Sequence, residues 1–159
     1  MKFPFTPIGD GEQIRVGDAT LRALHTAGYT KESTSYVLNE AAAFTGDTLF
    51  TNSVGRPDLH ADLDAACARA RSLCASLQRL RTLPPGLVVL PAHTSEPIAF
   101  DGRPIAARMS DVDRWLAGWL TSESAFVERV TSNLPPTPPN FLRIVDREEY
   151  QRRLEDLRR

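Results

Sequence analysis

Long apolar runs are missing from this chain. None approaches the roughly eighteen consecutive residues of a membrane-spanning helix, and the N-terminal region has no basic start followed by an apolar stretch, so neither a span nor a secretion signal is predicted. An excess of charge of one sign is missing too: 19 Lys and Arg stand against 20 Asp and Glu, a net charge of −1, which gives no sign of a nucleic-acid surface. Metal-ligating residue types are scarce, with three histidines (His25, His60, His93) and two cysteines (Cys67, Cys74). Internal repeats and low-complexity tracts are absent. What remains, 159 residues with 42% hydrophobic and 25% charged side chains, is the composition of an ordinary soluble domain able to bury a core, with the cytoplasm as its expected location.

Local patterns divide the chain into short strands followed by helices. Residues 13–16 and 20–24 alternate around Gly17-Asp18, a hairpin signal, and residues 35–38 and 42–45 flank the tight connection Asn39-Glu40. Leu63, Ala66, Ala70, Leu73, Leu77 and Leu80 recur at helical spacing and predict a helix over 62–82, with Asp62 and Asp64 at its start and Arg79 and Arg81 at its end, as the helix dipole favours. Cys67 and Cys74 lie on that helix two turns apart, about 10 Å, too far for a disulfide within it. They read as small buried apolar residues or as a redox or persulfide-carrying pair. Pro84-Pro85-Gly86 ends the helix, and Leu87-Val88-Val89-Leu90 reads as a buried strand delivering Pro91-Ala92-His93. A small hairpin is expected across 97–105 around Asp101-Gly102, a helix over 110–120 with a Ser110/Asp113 capping start, and another over 122–133. Residues 134–140 form a stiff Pro-rich linker, and 141–159 a charged tail expected to be helical, with Tyr150, Leu154 and Leu157 on its less polar side.

Several polar residues stand where chemistry could use them. A strand ending in Thr45-Gly46-Asp47 puts a carboxylate at a sheet edge, because glycine lets the backbone turn sharply; such a carboxylate suits a hard metal or simply caps a turn. His93 follows a buried strand and a proline that fixes chain direction. Arg56, in Val54-Gly55-Arg56-Pro57-Asp58, carries the planar fork that matches a substrate carboxylate, or it braces its own loop through Asp58. His60, beside Asp58 and Asp62, reads as a helix-start hydrogen-bonding residue.

Taken together, His25-Thr26-Ala27-Gly28-Tyr29-Thr30, Phe44-Thr45-Gly46-Asp47-Thr48-Leu49-Phe50, Val54-Gly55-Arg56-Pro57-Asp58 and Pro91-Ala92-His93 resemble the second half of the metallo-β-lactamase fold, with the persulfide dioxygenase and glyoxalase II group, including rhodanese-fused members, as the nearest match. The resemblance covers roughly residues 5 to 145. It implies an α/β (α+β) architecture over residues 1–133: half of an αβ/βα sandwich, one mainly antiparallel, mixed sheet with helices on one face. It also implies that Asp47 and His93 stand at metal-ligand positions, that Tyr29 replaces a ligand histidine of the HTPGHT loop, that His25, Gly46 and Asp58 are structural at the site, and that Arg56, Thr30 and Thr94 contact a glutathione-like thiol. The family's HxHxDH motif would lie upstream of Met1. A phenol is a poor substitute for neutral imidazole, so zinc or iron is expected only if another chain supplies ligands. The expected protein is a truncated or degenerate metallo-hydrolase-like chain, inactive or metal-poor alone, or alternatively one half of a split hydrolase or persulfide dioxygenase. Its uncovered sheet face is expected to meet a second copy or a complementary N-terminal-half chain.

Overall fold

Alternation and tight turns build most of the sheet. A computed structural model describes residues 6–59, 61–99, 101–132 and 134, and Ile8–Leu134 is its compact unit. Strands β1 (Gln13–Val16) and β2 (Ala19–His25) form an antiparallel hairpin closed by Gly17 at φ 59°. Strand β3 (Thr34–Leu38) pairs with β2 and turns into β4 (Ala42–Gly46) through Asn39 and Glu40, both left-handed at φ 48° and 54°. A left-handed glutamate is costly. Its neighbours offset this: the Arg22 guanidinium donates to Glu40 at 2.6 and 3.0 Å, and the Thr20 N–H donates to the Asn39 side chain at 2.8 Å.

Helix α1 (Leu63–Leu80) then crosses back, capped by the Asp62 side chain accepting from the Ala65 N–H at 2.8 Å. Because of this crossover, β5 (Val88–Pro91) adds parallel to β4, and β6 (Ala107–Arg108) completes a mixed sheet in the order β1-β2-β3-β4-β5-β6. Helices α2 (Met109–Trp119) and α3 (Glu123–Ser132) follow.

The two faces of the sheet differ in cover. On one, Val37, Ala43 and Val89 of a single register row belong to one buried cluster with Leu73, Leu77, Leu116 and Phe126 of the helices, and Ala107 packs against it. On the other, the row Ile14, Leu21, Leu38, Ala42, Val88, Arg108 and the adjoining row Ala23, Tyr36, Phe44, Leu90 contribute nothing to that cluster. Among the described residues the architecture is a mixed α/β half-sandwich with helices on one face. Among the described residues no helix is long and apolar enough to cross a membrane.

Three local expectations change. No strand forms in the described residues of 97–105. Asp101 accepts from the Arg103 N–H at 3.0 Å and Gly102 turns at φ 76°, but Pro97 and Pro104 lack the N–H groups that a ladder needs, and the pairing strand is instead β6. Helix α2 starts at Met109 with no side-chain cap: the Met109 and Ser110 N–H groups donate to the Leu87 and Pro85 carbonyls, and Asp113 is drawn into an ion pair with Arg81. Of the cysteines, Cys74 is buried, whereas Cys67, at the edge of the apolar stripe of α1, is half-exposed; both are free thiols. His60, the linker beyond Leu134 and the tail lie outside the described residues.

Candidate functional site

Three loops meet at the C-terminal ends of β4 and β5. Gly46, left-handed at φ 54°, turns β4 so that Asp47 leaves the sheet edge. The Ala92 N–H donates to the Gly46 carbonyl at 3.0 Å and holds the end of β5 against the end of β4. His93 is thereby brought to Asp47, and its Nδ1 hydrogen-bonds Oδ1 of the carboxylate. A carboxylate oxygen can only accept, so Nδ1 is the donor in this bond. The ring is largely open to solvent, at 69% exposure, while Asp47 is at 21%.

The loop after β2 is pinned from below. Gly28 lies so close to α1 that a Cβ on it would come within 2.5 Å of the Leu73 Cβ, and its φ of 148° disfavours any side chain. Ser76, on the buried face of α1, donates to the Ala27 carbonyl at 2.7 Å. Tyr29, half-buried, is thus held near Asp47 and Arg56. Burial first, then the Asp47 carboxylate, raise its phenol above the ordinary 10.0, with the Arg56 charge pulling weakly the other way.

The third loop carries Gly55 and Arg56. A Cβ at residue 55 would stand 3.4 Å from the Tyr29 Cβ and far too close to the Asp47 backbone, so only glycine lets this loop reach the other two. Arg56 grips Asp58 with two parallel bonds, Nε to Oδ1 at 3.0 Å and Nη2 to Oδ2 at 2.7 Å. The pairing raises the Arg56 pKa and holds the Asp58 carboxyl below its ordinary value. Arg69 donates to the Leu59 carbonyl at 2.6 Å and steadies the same loop.

The remaining candidate residues are occupied locally. The Thr30 hydroxyl lies 3.1 Å from Ser33 Oγ, and the Thr94 hydroxyl donates to the Glu96 carbonyl at 2.8 Å. His25 is exposed at the end of β2; its N–H donates to Asp10 at 2.8 Å, and Asp10 is paired with Arg79 at 2.7 Å. The structure therefore gathers Tyr29, Asp47, Gly55, Arg56, Asp58 and His93.

Comparison with known proteins matches this geometry to a family. No protein-family model matches the chain. It is 35% identical over 99 residues to a "Probable metallo-hydrolase" of Burkholderia pseudomallei, a match covering 57% of this chain and 32% of that one. It is 35% identical over 88 residues to the mitochondrial persulfide dioxygenase of Mus musculus, covering 54% of this chain and 32% of that one. A "Probable hydroxyacylglutathione hydrolase" of Schizosaccharomyces pombe is 27% identical over 150 residues, 87% of this chain and 52% of its own length. A crystal structure of a metallo-β-lactamase from Staphylococcus aureus superposes with a TM-score of 0.72 at 25% identity, over 86% of this chain and 42% of that one. ETHE1 from Myxococcus xanthus superposes at 0.63 with 32% identity, over 80% and 52%.

Over part of their length, the chain shares the fold of the metallo-β-lactamase superfamily.

It spans about half or less of the length of the relatives it matches. As a metallo-β-lactamase-fold chain it has hydrolase, hydroxyacylglutathione hydrolase and persulfide dioxygenase relatives. Whether its own residues fit a metal can be read from the donors. Asp47 offers a carboxylate and His93 an imidazole nitrogen, while Tyr29 offers a phenol whose pKa burial and the Asp47 charge raise. Among the described residues no cluster of three His, Cys, Asp or Glu side chains converges. A stable zinc site takes three or four protein ligands. The described residues do not fit a resident zinc or iron ion unaided.

Sequence reading missed the groups that hold the loops in place. Thr26, Ser35 and Thr48 form a buried hydroxyl chain, with Thr26 Oγ1 at 2.9 Å from Ser35 Oγ and 3.3 Å from Thr48 Oγ1, and the Thr48 hydroxyl donates back to the Thr26 carbonyl at 3.1 Å. One signal was available for Ser76, a polar residue in the apolar stripe of α1. Thr26 and Thr48 sit inside the matched motifs and gave no signal of their own.

Proposed function

We propose that this chain is a degenerate metallo-β-lactamase-fold module, related to the hydrolases and persulfide dioxygenases but metal-poor and catalytically silent by itself. One observation carries the reading: the position where the resemblance puts a ligand histidine holds Tyr29, a phenol whose ionisation is opposed further by burial and by the neighbouring Asp47 carboxylate. A neutral phenol is a weak donor, and Asp47 with His93 leaves two ligands where zinc or iron needs three or four. Arg56, paired with Asp58, is the cationic group that the resemblance would turn toward a glutathione-like carboxylate. The test is elemental analysis of the purified chain, with zinc and iron both supplied during expression. Substoichiometric metal is expected. About one metal ion per chain, lost on Asp47→Ala, would overturn the proposal.

A second reading has its own observation. Asp47 and His93, brought together at the ends of parallel strands, form an assembled pair of donors. That favours a half-site completed by a polypeptide bearing HxHxDH, with chemistry of the hydrolase or persulfide dioxygenase kind only in the assembled pair. Metal-dependent turnover of glutathione persulfide or a glutathione thioester, appearing when this chain is mixed with the unmatched half of a relative, distinguishes this reading from the first.

A further inference from the structure

Between Asp47 and Arg56 the chain makes a tight turn over 50–53, closed by the Phe50 N–H donating to the Ser53 carbonyl at 2.8 Å and flanked by a bridge between Leu49 and Val54. The indole of Trp115, 64 positions further on in α2, donates from Nε1 to the Thr51 carbonyl of this turn at 3.0 Å. The neighbouring Asn52 side chain accepts from the Ser95 hydroxyl at 2.8 Å, and Ser95 stands two residues after His93. Helix α2 thus holds the turn, and the turn is bonded to the loop that carries His93. The indole is itself fixed in direction. Trp115 packs against the buried cluster and meets Trp119 edge to face, with ring centroids 5.2 Å apart and planes at 71°, and the Arg129 guanidinium of α3 lies 4.8 Å from the Trp119 ring centre.

We propose that Trp115 is a positioning residue of the candidate site: its N–H sets the turn over 50–53 so that Asp47, just ahead of the turn, meets His93, with the Asn52–Ser95 bond as the second link. The chemistry suits the task. A half-buried indole N–H and a loop carbonyl outside any ladder each need a partner, and each supplies the other's. Phenylalanine at this position would keep the ring packing and lose only the donor. Trp115 acts through the Thr51 carbonyl and so on both sides of the turn, because the Gly55 N–H donates to the Thr48 carbonyl and ties the Arg56 side of the turn to the Asp47 side. The inference rests on this bonding pattern, and it stands whatever the site does with metal.

Long-range proton–nitrogen NMR spectra of the His93 ring, recorded on the full chain after chelator treatment, are the test. They read folded molecules, so a variant that is merely less stable leaves them unmoved. Asp47→Asn gives the spectrum of the unpaired ring at the same pH. Trp115→Phe is expected to shift the His93 signals toward that reference, and Ser95→Ala to shift them the same way, whereas Ser95→Thr, which keeps the hydroxyl, holds the wild-type positions. Ser72→Ala, which removes a bond to the Ala68 carbonyl on the exposed side of α1, leaves them alone. His93 signals that stay at the wild-type positions in folded Trp115→Phe overturn the proposal. If Trp115→Phe does not fold, Ser95→Ala, at an exposed position, decides in its place, and unchanged signals there overturn it. An Asp47→Asn spectrum identical to wild type overturns it as well, since there is then no His93–Asp47 pair for the turn to set.

Discussion

Gly55 and Asp47 touch through the missing side chain of the glycine: a Cβ built at residue 55 would lie 1.9 Å from the Asp47 carbonyl oxygen. The Gly55 N–H also donates to the Thr48 carbonyl at 3.3 Å, so the loop carrying Arg56 rests directly on the turn that aims Asp47. Gly55→Ala is expected to destabilise the fold by about 2 kcal/mol, because backbone, unlike a flexible side-chain tip, cannot step aside cheaply. Urea denaturation measures this. A change below about 0.5 kcal/mol would show that the loop does not lie where it is placed here.

Tyr29 should ionise late. Its phenol is raised above 10.0 by burial first and by Asp47 second, so the 295 nm absorbance that Tyr29→Phe removes should appear above that pH. Asp47→Asn should bring the transition part of the way back, since burial remains. Because the folded value lies above the unfolded one, the associated stability is complete below pH 10.0 and is lost as pH rises through the folded value. A Tyr29 transition at or below the ordinary value contradicts the burial of its hydroxyl.

Acid should release the Arg56 loop. The Asp58 carboxyl is held below 3.8 chiefly by its hydrogen bonds to Arg56, and both side chains are mostly shielded, at 14% and 20% exposure. A depressed carboxylate stabilises the fold above its unfolded pKa, and that contribution disappears as pH falls through the folded value. Asp58→Asn is therefore expected to cost about 1 kcal/mol at neutral pH. The gap from wild type should close below pH 3.8. A gap that is the same at neutral and strongly acid pH would mean that the pair contributes through packing and not through charge.

Tyr29→His should create a third donor beside Asp47 and His93. Zinc affinity is expected to rise at least about tenfold, and cobalt(II) should give the strong visible bands of a tetrahedral site. Isothermal titration and absorbance read the two effects independently. If the folded variant binds no more tightly than wild type, the loop has been remodelled, and the matching of Tyr29 to a ligand histidine is incorrect.

Local rules and a family resemblance were legible in the residues themselves. Period-two alternation around Gly17-Asp18 and Asn39-Glu40 specifies two hairpins, and the helical stripe from Leu63 to Leu80 specifies α1, because side-chain direction and turn conformation depend on near neighbours. The motifs at Asp47 and His93 carried the resemblance to the metallo-β-lactamase fold. Where a local signal competed with chain chemistry it misled: Asp101-Gly102 has the residues of a hairpin turn, but the prolines beside it cannot donate to a ladder. Tertiary structure alone decided the contacts between residues far apart in the chain. His93 reaches Asp47 across 46 positions because α1 returns the chain to lay β5 parallel to β4, and Ser76 reaches Ala27 across 49 because the helix packs under the loop. The upward shift of the Tyr29 pKa belongs to the same class, since desolvation is a property of what surrounds a side chain and not of the residue.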